Sequence, residues 1–185
     1  MSDLVPLTGE PLALDLVNTR PTVGDQLATP GDLHAWWVLQ ADRLPEAVPH
    51  EVSAADLAAV QAVREHTARA LDQVRRGEEP SVSDLEALNQ AQRAASAIKE
   101  LAWSGSVVTA TRRREGSPGR QLAASLAEAA AELLADPEVT RIRKCEADDC
   151  VMLFLPTHPR RRWCSAARCG NRIRVARHYQ RHKAG

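Results

Sequence analysis

Residues 145–169 read CEADDCVMLFLPTHPRRRWCSAARC, and every cysteine of the 185-residue chain lies in this window. The pattern is C-x4-C-x13-C-x4-C: Cys145 and Cys150, then Cys164 and Cys169. Two paired thiol loops are an efficient way to surround a zinc ion, which takes four ligands in a tetrahedron at about 2.0–2.3 Å. Four cysteines would close the coordination sphere, so the expected cofactor is one structural Zn²⁺ rather than a catalytic one with an open position. Two disulfides are the competing reading and would need an oxidising compartment. A redox thiol pair would normally show C-x-x-C, which neither pair has. His158 lies between the pairs and reads as an exposed bystander beside Pro156 and Pro159.

The flanks of each pair say how the thiols are presented. VTRIRKC (139–145) and VMLFLP (151–156) read as two short strands bracketing a knuckle. The second pair cannot lie wholly on a helix, since residues five apart differ by about 140° around the axis. Cys164 therefore precedes a helix that starts near Ser165, with Cys169 in its first turn. The helix N-terminus and the nearby Arg161, Arg162 and Arg168 favour thiolate over thiol, the form a metal binds.

Working outward, the charge is polarised. Residues 141–185 carry twelve Lys and Arg against three acids, a net of +9, so in a chain of zero net charge residues 1–140 carry −9. On the C-terminal helix Arg174, Arg177, His178 and Arg181 share an arc of about 100°. Ile173, Ala176 and Tyr179 lie on the other side with Cys169 and Arg172, and Arg172 is expected to turn inward onto a carboxylate or carbonyl. Arg160, Arg161 and Arg162 form a second cationic cluster before the third cysteine. These seven positions are the expected nucleic-acid contacts, suited to phosphates through salt-sensitive counterion release. A solvated helix face is the bland alternative, and docking onto an acidic protein partner is a second. Trp163 reads as core of the small module, with base stacking as its other use.

The longer N-terminal part reads as helices. EPLALDLVNT (10–19) is a short amphipathic helix, with an extended segment as alternative. Thr29-Pro30-Gly31-Asp32 is a start signal for a helix carrying Leu33, Trp36 and Trp37, stopped by Pro45. Ser53 to Asp56 opens a long helix through Leu57, Val60, Val63 and Leu71, closed by Gly77. Ser83 to Glu86 reads as a capping box opening a helix that runs through Leu88, Ile98 and Leu101. WSGSVVTATRRR (103–114) loses helical periodicity and reads as one strand or a hairpin leg. Ser117-Pro118 starts an alanine-rich helix with Leu122, Leu126, Leu133 and Leu134, ending near Asp136-Pro137. The expected core of this body is aliphatic with few aromatics, since Phe154 and Tyr179 both lie in the basic end.

The stretch RRWCS-x3-CGNR, with Cys169-Gly170-Asn171-Arg172 as its end, resembles the CGNR zinc-finger family. LALDLVNT (12–19) resembles the opening of the ABATE-type domain that accompanies that finger. The resemblance implies an α+β fold: a mainly helical N-terminal domain with a small β element (residues 1–138), then a treble-clef-like zinc module of a β-hairpin and a helix (139–185). It implies zinc ligands at Cys145, Cys150, Cys164 and Cys169, and a stress-induced transcription regulator. Two departures stand out: the proline- and arginine-rich PTHPRRRW between the cysteine pairs, and a compact Trp103–Gly119. Gly170 is read as permitting close approach beside the ligand, and Asn171 as a structural hydrogen-bonder.

Several function classes fall away. No run of about 18 uncharged apolar residues is present, so a membrane-spanning helix is not expected. The N-terminus lacks the basic and apolar runs of a signal peptide, and the expected compartment is the cytoplasm. The chain has no glycine-rich phosphate loop, no G-x-S-x-G and no HExxH, so an enzyme is not expected. Asp15, Asn18, Thr19 and Arg20 could line a ligand site, though local capping at a helix end is the simpler account. The expected function is DNA-binding transcription regulation, the N-terminal domain sensing an unidentified ligand or forming a homodimer. The alternatives are an adaptor whose basic module docks an acidic partner, and a hydrolase or binding protein with its pocket in the helical body.

Overall fold

The computed structural model describes residues 6–183, with only the backbone described for Arg177, His178 and Gln180–Lys183. Six helices and two small antiparallel strand pairs make up the described chain. In order they are α1 (Leu12–Val17), α2 (Pro30–Gln40), α3 (Ala54–Arg75), α4 (Val82–Ala94), β1 (Ile98–Trp103), β2 (Val108–Arg113), α5 (Pro118–Ala135), β3 (Arg143–Lys144), β4 (Leu153–Phe154) and α6 (Asn171–Lys183). The α+β class expected above is what is seen.

Local chemistry explains most helix starts. At α2 the Thr29 hydroxyl accepts from Asp32 N at 3.2 Å and the Asp32 carboxylate accepts from Thr29 N at 2.8 Å. Ser53 and Asp56 make the same reciprocal box at α3, at 3.1 and 3.0 Å. Each box satisfies two backbone donors that a helix end leaves free. Gly77, at φ +75°, closes the last turn of α3 in the left-handed conformation that glycine adopts without strain.

The body packs α3 against α5, with α4 lying on both and α1 against α5 and α3. Its buried cluster includes Leu14, Leu16, Leu33, Val60, Leu71, Leu122 and Leu126, and also Trp36 and Trp37. The two tryptophans are the few aromatics in this otherwise aliphatic cluster: spaced on α2 with Leu33, they face the body and are 1% and 0% exposed. Where α3 and α5 begin, Asp56 binds both helices. Its carboxylate accepts from Ser117 Oγ at 2.9 Å and from Gly119 N at 3.1 Å, as well as closing its own box.

Four boundaries differ from the sequence reading. Helix α2 ends at Gln40, before a 3₁₀ turn over Ala41–Arg43, rather than running to Pro45. Helix α4 starts at Val82 with Ser81 as its N-cap, so Ser83 lies inside the first turn and heads no box; its Oγ meets Ser81 Oγ at 2.7 Å, while Asp84 is held by His66 Nδ1 at 2.8 Å and Arg69 Nε at 2.9 Å from α3. The helix stops at Ala94, and Ile98–Trp103 instead pairs antiparallel with Val108–Arg113, Trp103 opposite Val108 and Ile98 opposite Arg113. Every residue of these two strands is exposed, so the expected continuation of the helix through Ile98 and Leu101 is replaced by a hairpin that buries neither. The strands near the cysteines are two residues each, and Pro137–Arg141 forms a 3₁₀ turn.

Candidate functional site

The cysteine quartet is assembled by two short devices. In the first, β3 pairs with β4, Arg143 opposite Phe154 and Lys144 opposite Leu153. The ladder continues as Cys145 N donates to Met152 O at 2.9 Å, and Cys150 N closes the knuckle on Ala147 O at 2.9 Å. In the second, Ser165 accepts from Arg168 N at 3.3 Å, capping a π-helical turn over Ala166–Gly170. Gly170 N returns to Ser165 O at 3.0 Å, and α6 follows. Glu146 N donates to Arg162 O at 3.1 Å, joining the two devices.

This arrangement brings all four sulfurs within 4.8 Å of one another. Cys150 and Cys164 Sγ are 3.8 Å apart, and Cys164 and Cys169 Sγ 3.6 Å. A tetrahedron of thiolates on zinc has edges of about 3.8 Å when each bond is about 2.3 Å. A disulfide needs about 2.05 Å, and all four thiols are free. The disulfide reading is therefore set aside, and the donor set fits zinc.

The thiolate-favouring surroundings expected from the arginines are not seen at Cys150 and Cys164, since Arg161 turns to Glu10 and Arg162 to Glu146. Burial pushes the Cys150 thiol up to about 11, with the charge of Cys145 and Cys169 opposing ionisation further. Cys164 is driven upward for the same reasons, burial first and then Cys150 and Cys145. Burial also raises Cys145, but N–H groups of Cys164 and Ala147 aimed at its sulfur outweigh it and hold this thiol below its ordinary value. Four thiolates in so small a volume require a compensating cation. When bound, the zinc ion supplies that charge and cross-links the knuckle to the π-turn. Backbone N–H groups and Arg172, whose Nη2 lies 3.7 Å from Cys169 Sγ, temper the remaining negative charge.

Trp163 packs against the cysteine cluster, half-buried, as the core reading expects. A Cβ on Gly170 would meet Trp163 Cδ1 at 3.0 Å, so the close approach that glycine permits is to this indole. Arg172 finds its expected carboxylate, two bonds of 2.6 Å to Asp149, at the surface rather than inside.

The predicted cationic positions have unlike surroundings. Arg160 and Arg174 are exposed. Arg162 is exposed, bonded to Glu146 at 2.5 Å and 5.3 Å from the Trp163 ring. Arg161 is mostly buried: it lies 4.5 Å above the Phe154 ring, donates to Cys164 O at 2.7 Å and pairs with Glu10. The side chains of Arg177, His178 and Arg181 lie outside the described residues, although α6 runs through all three.

The LALDLVNT segment turns out to be the seat of the zinc module. Asn18 donates to Leu153 O at 2.8 Å and accepts from Leu153 N at 2.8 Å, so its amide completes the edge of β4 as a neighbouring strand would. Glu10 accepts from Leu155 N at 2.9 Å, and Thr22 Oγ1 donates to Asp149 O at 2.8 Å. Asp15, fully buried, accepts from Gly9 N at 2.9 Å and Glu10 N at 3.1 Å, and pairs with Arg43. Local capping thus accounts for Asp15 only in part, while Asn18 bonds a residue 135 positions away. No periodicity could have disclosed Asn18 or Glu10, because their partners belong to another module.

Asn18→Ala removes both bonds and leaves the Leu153 amide and carbonyl without partners, at a cost of about 1–3 kcal/mol. Hydrogen exchange should show faster exchange at the Leu153 amide with the α3 amides unchanged; undiminished protection at Leu153 would refute the seating role.

Residues 10–137 match the family model ABATE, described as "Putative stress-induced transcription regulator", and residues 141–182 match that of the CGNR zinc finger. No curated protein matches the chain. Neither model describes an enzyme family.

Proposed function

The chain belongs to the ABATE family, and from that membership and the geometry of its zinc module we propose that it is a cytoplasmic, non-catalytic transcription regulator that binds DNA. The reading divides the chain into a sensing or dimerising body, residues 1–138, and a zinc module, residues 139–185. The observation that carries it is the closed four-cysteine cluster from which α6 leaves, with Arg174 exposed on that helix and Arg160 exposed on the loop before it. A rigid base lets a short helix hold cations at fixed spacing, which is what phosphate recognition needs. Arg160, Arg162, Arg174, Arg177, His178 and Arg181 then meet phosphates, while Arg161 serves the seam with the body. Among the described residues no helix is long and apolar enough to cross a membrane.

The adaptor reading is supported by one contact: Arg161 already pairs with Glu10 of the body, so this basic segment docks an acidic group within the chain. DNA titrations distinguish the two. Arg174→Glu should weaken binding to a mixed-sequence duplex about tenfold or more at low salt and flatten the salt dependence by about one phosphate. Zinc content should stay at one per chain. Unchanged DNA affinity in this variant, or a wild-type affinity insensitive to salt, would favour the adaptor.

A further inference from the structure

A second feature of the seam is independent of DNA. A pocket of about 280 Å³ opens where α1 and α3 face the β3–β4 pair. Its charged lining is Arg20, Arg64, Arg75 and Lys144 against Glu65 and Asp72. The carboxylates are shared: Glu65 bonds Arg20 at 2.7 Å and Arg64 at 3.4 Å, and Asp72 bonds Arg75 at 2.9 Å and also Arg76. Asp25 clamps Arg64 from outside the pocket at 2.6 and 2.7 Å, which still leaves the cations in excess. Lys144 is exposed and lacks a carboxylate partner among the described residues.

The hydrogen bonding of two of these arginines is also incomplete. The Nε–H groups of Arg64 and Arg75 are buried with no hydrogen-bond partner, although Arg64 is held by its other nitrogens and its side chain is only 3% exposed. A buried guanidinium donor without an acceptor is costly, and folded proteins rarely leave one. The rest of the wall is Asn18, its amide taken up by Leu153, and the apolar side chains of Val17 and Ala68 from the body and Val151 and Leu153 from the zinc module. A cationic end beside an apolar wall suits an amphiphilic anion, and the volume is that of a small ligand site.

We propose that this seam pocket binds a small organic oxyanion, a carboxylate or phosphate monoester on an apolar body, through Arg20, Arg75 and Lys144. Lys144 and the two apolar residues beyond it belong to the zinc module, while the arginines belong to the body. An occupant therefore bonds across the seam and favours the docked arrangement over one in which the two parts separate.

The test is calorimetric titration of the zinc-loaded full chain with phenyl phosphate and with phenylacetate, using phenol as the uncharged control. Saturable binding of either anion is expected, at least tenfold weaker in Lys144→Gln and in Arg75→Gln. Arg113→Gln removes the same charge from an exposed hairpin residue that does not line the pocket and pairs with Glu100, and should bind as the wild type does. Lys144 is a surface side chain, so its variant keeps the test valid should Arg75→Gln fold poorly. Absence of saturable binding to the wild type would overturn the site. So would equal weakening in Arg113→Gln, or phenol binding as tightly as the anions. None of these results bears on DNA affinity, which α6 is proposed to carry.

Discussion

Cys164→Ser is expected to lose zinc and unfold the C-terminal module while the helical body stays folded. Cys164 is the sulfur common to both measured edges of the quartet, 3.8 Å from Cys150 and 3.6 Å from Cys169. The module has little else to hold it. Its strands are two residues each, and its apolar cluster beyond the cysteines consists chiefly of Ala147, Met152 and Phe154 with Trp163 and Ile173 at the edge. A core that small does not stabilise a fold by itself. Structural zinc contributes roughly 10–16 kcal/mol in modules of this size, so its binding energy is folding energy. The body has its own extensive cluster, from Leu14 to Leu133, and gives up only the seam. Thermal melting should therefore split in two, with metal content below one per chain and amide protection lost over 143–154 but kept along α3. Chelation of the wild type at neutral pH should reproduce that state. A variant that melts as a single wild-type transition with full protection at Met152 would show that the metal is dispensable and that the quartet has been misread.

The quartet was legible because its signal is spacing within one short window. The helix starts at Thr29 and Ser53 were legible for the same reason: donor and acceptor lie three residues apart. Failure came where a residue's partner is remote. Ser83 to Glu86 has the composition of a capping box, but the helix already begins at Val82, and its first turn is fixed by Asp84 reaching His66 and Arg69 on another helix. Ile98 and Leu101 are three apart, as on a helix, but they fall about 80° and 140° away from Leu88 around its axis, and they pair instead with Arg113 and Ala110 of the following strand. The arginine runs are the clearest case. Within Arg112–Arg114, Arg113 meets solvent and Glu100, whereas the Arg114 side chain is 2% exposed between Glu46 and Glu128. Within Arg160–Arg162, the middle residue turns to Glu10, 151 positions away. Charge along a sequence is therefore a poor guide to charge presented at a surface, and the cationic cluster before Cys164 is smaller than its composition suggests.

Gly119→Ala is expected to be the most destabilising single substitution in the body, although it adds one methyl group to a helix. Alanine is ordinarily the better helix former by about 1 kcal/mol, so propensity alone predicts a gain. Geometry reverses the sign. A Cβ built on Gly119 would lie 2.1 Å from Asp56 Cβ and 2.5 Å from Asp56 Cα. Because one of those atoms is backbone at the start of α3, rotating a side chain cannot relieve the contact. Either helix must shift, and each shift breaks something: Asp56 closes the α3 box and also holds Gly119 N and Ser117 Oγ at the start of α5. Overpacking together with loss of caps on two helices should cost about 3 kcal/mol or more, equivalent to a fall of roughly 6–12 °C in a chain of this length. Gly31→Ala is the matched control, since its Cβ would meet only the Thr29 hydroxyl, at 3.7 Å, in the first turn of α2. That variant should melt at or a few degrees above the wild type, since with no clash only the propensity gain of up to about 1 kcal/mol remains. Equal melting temperatures for the two variants would mean that α3 and α5 do not cross at Gly119 as described, and the packing of the body on which the zinc module is seated would have to be redrawn.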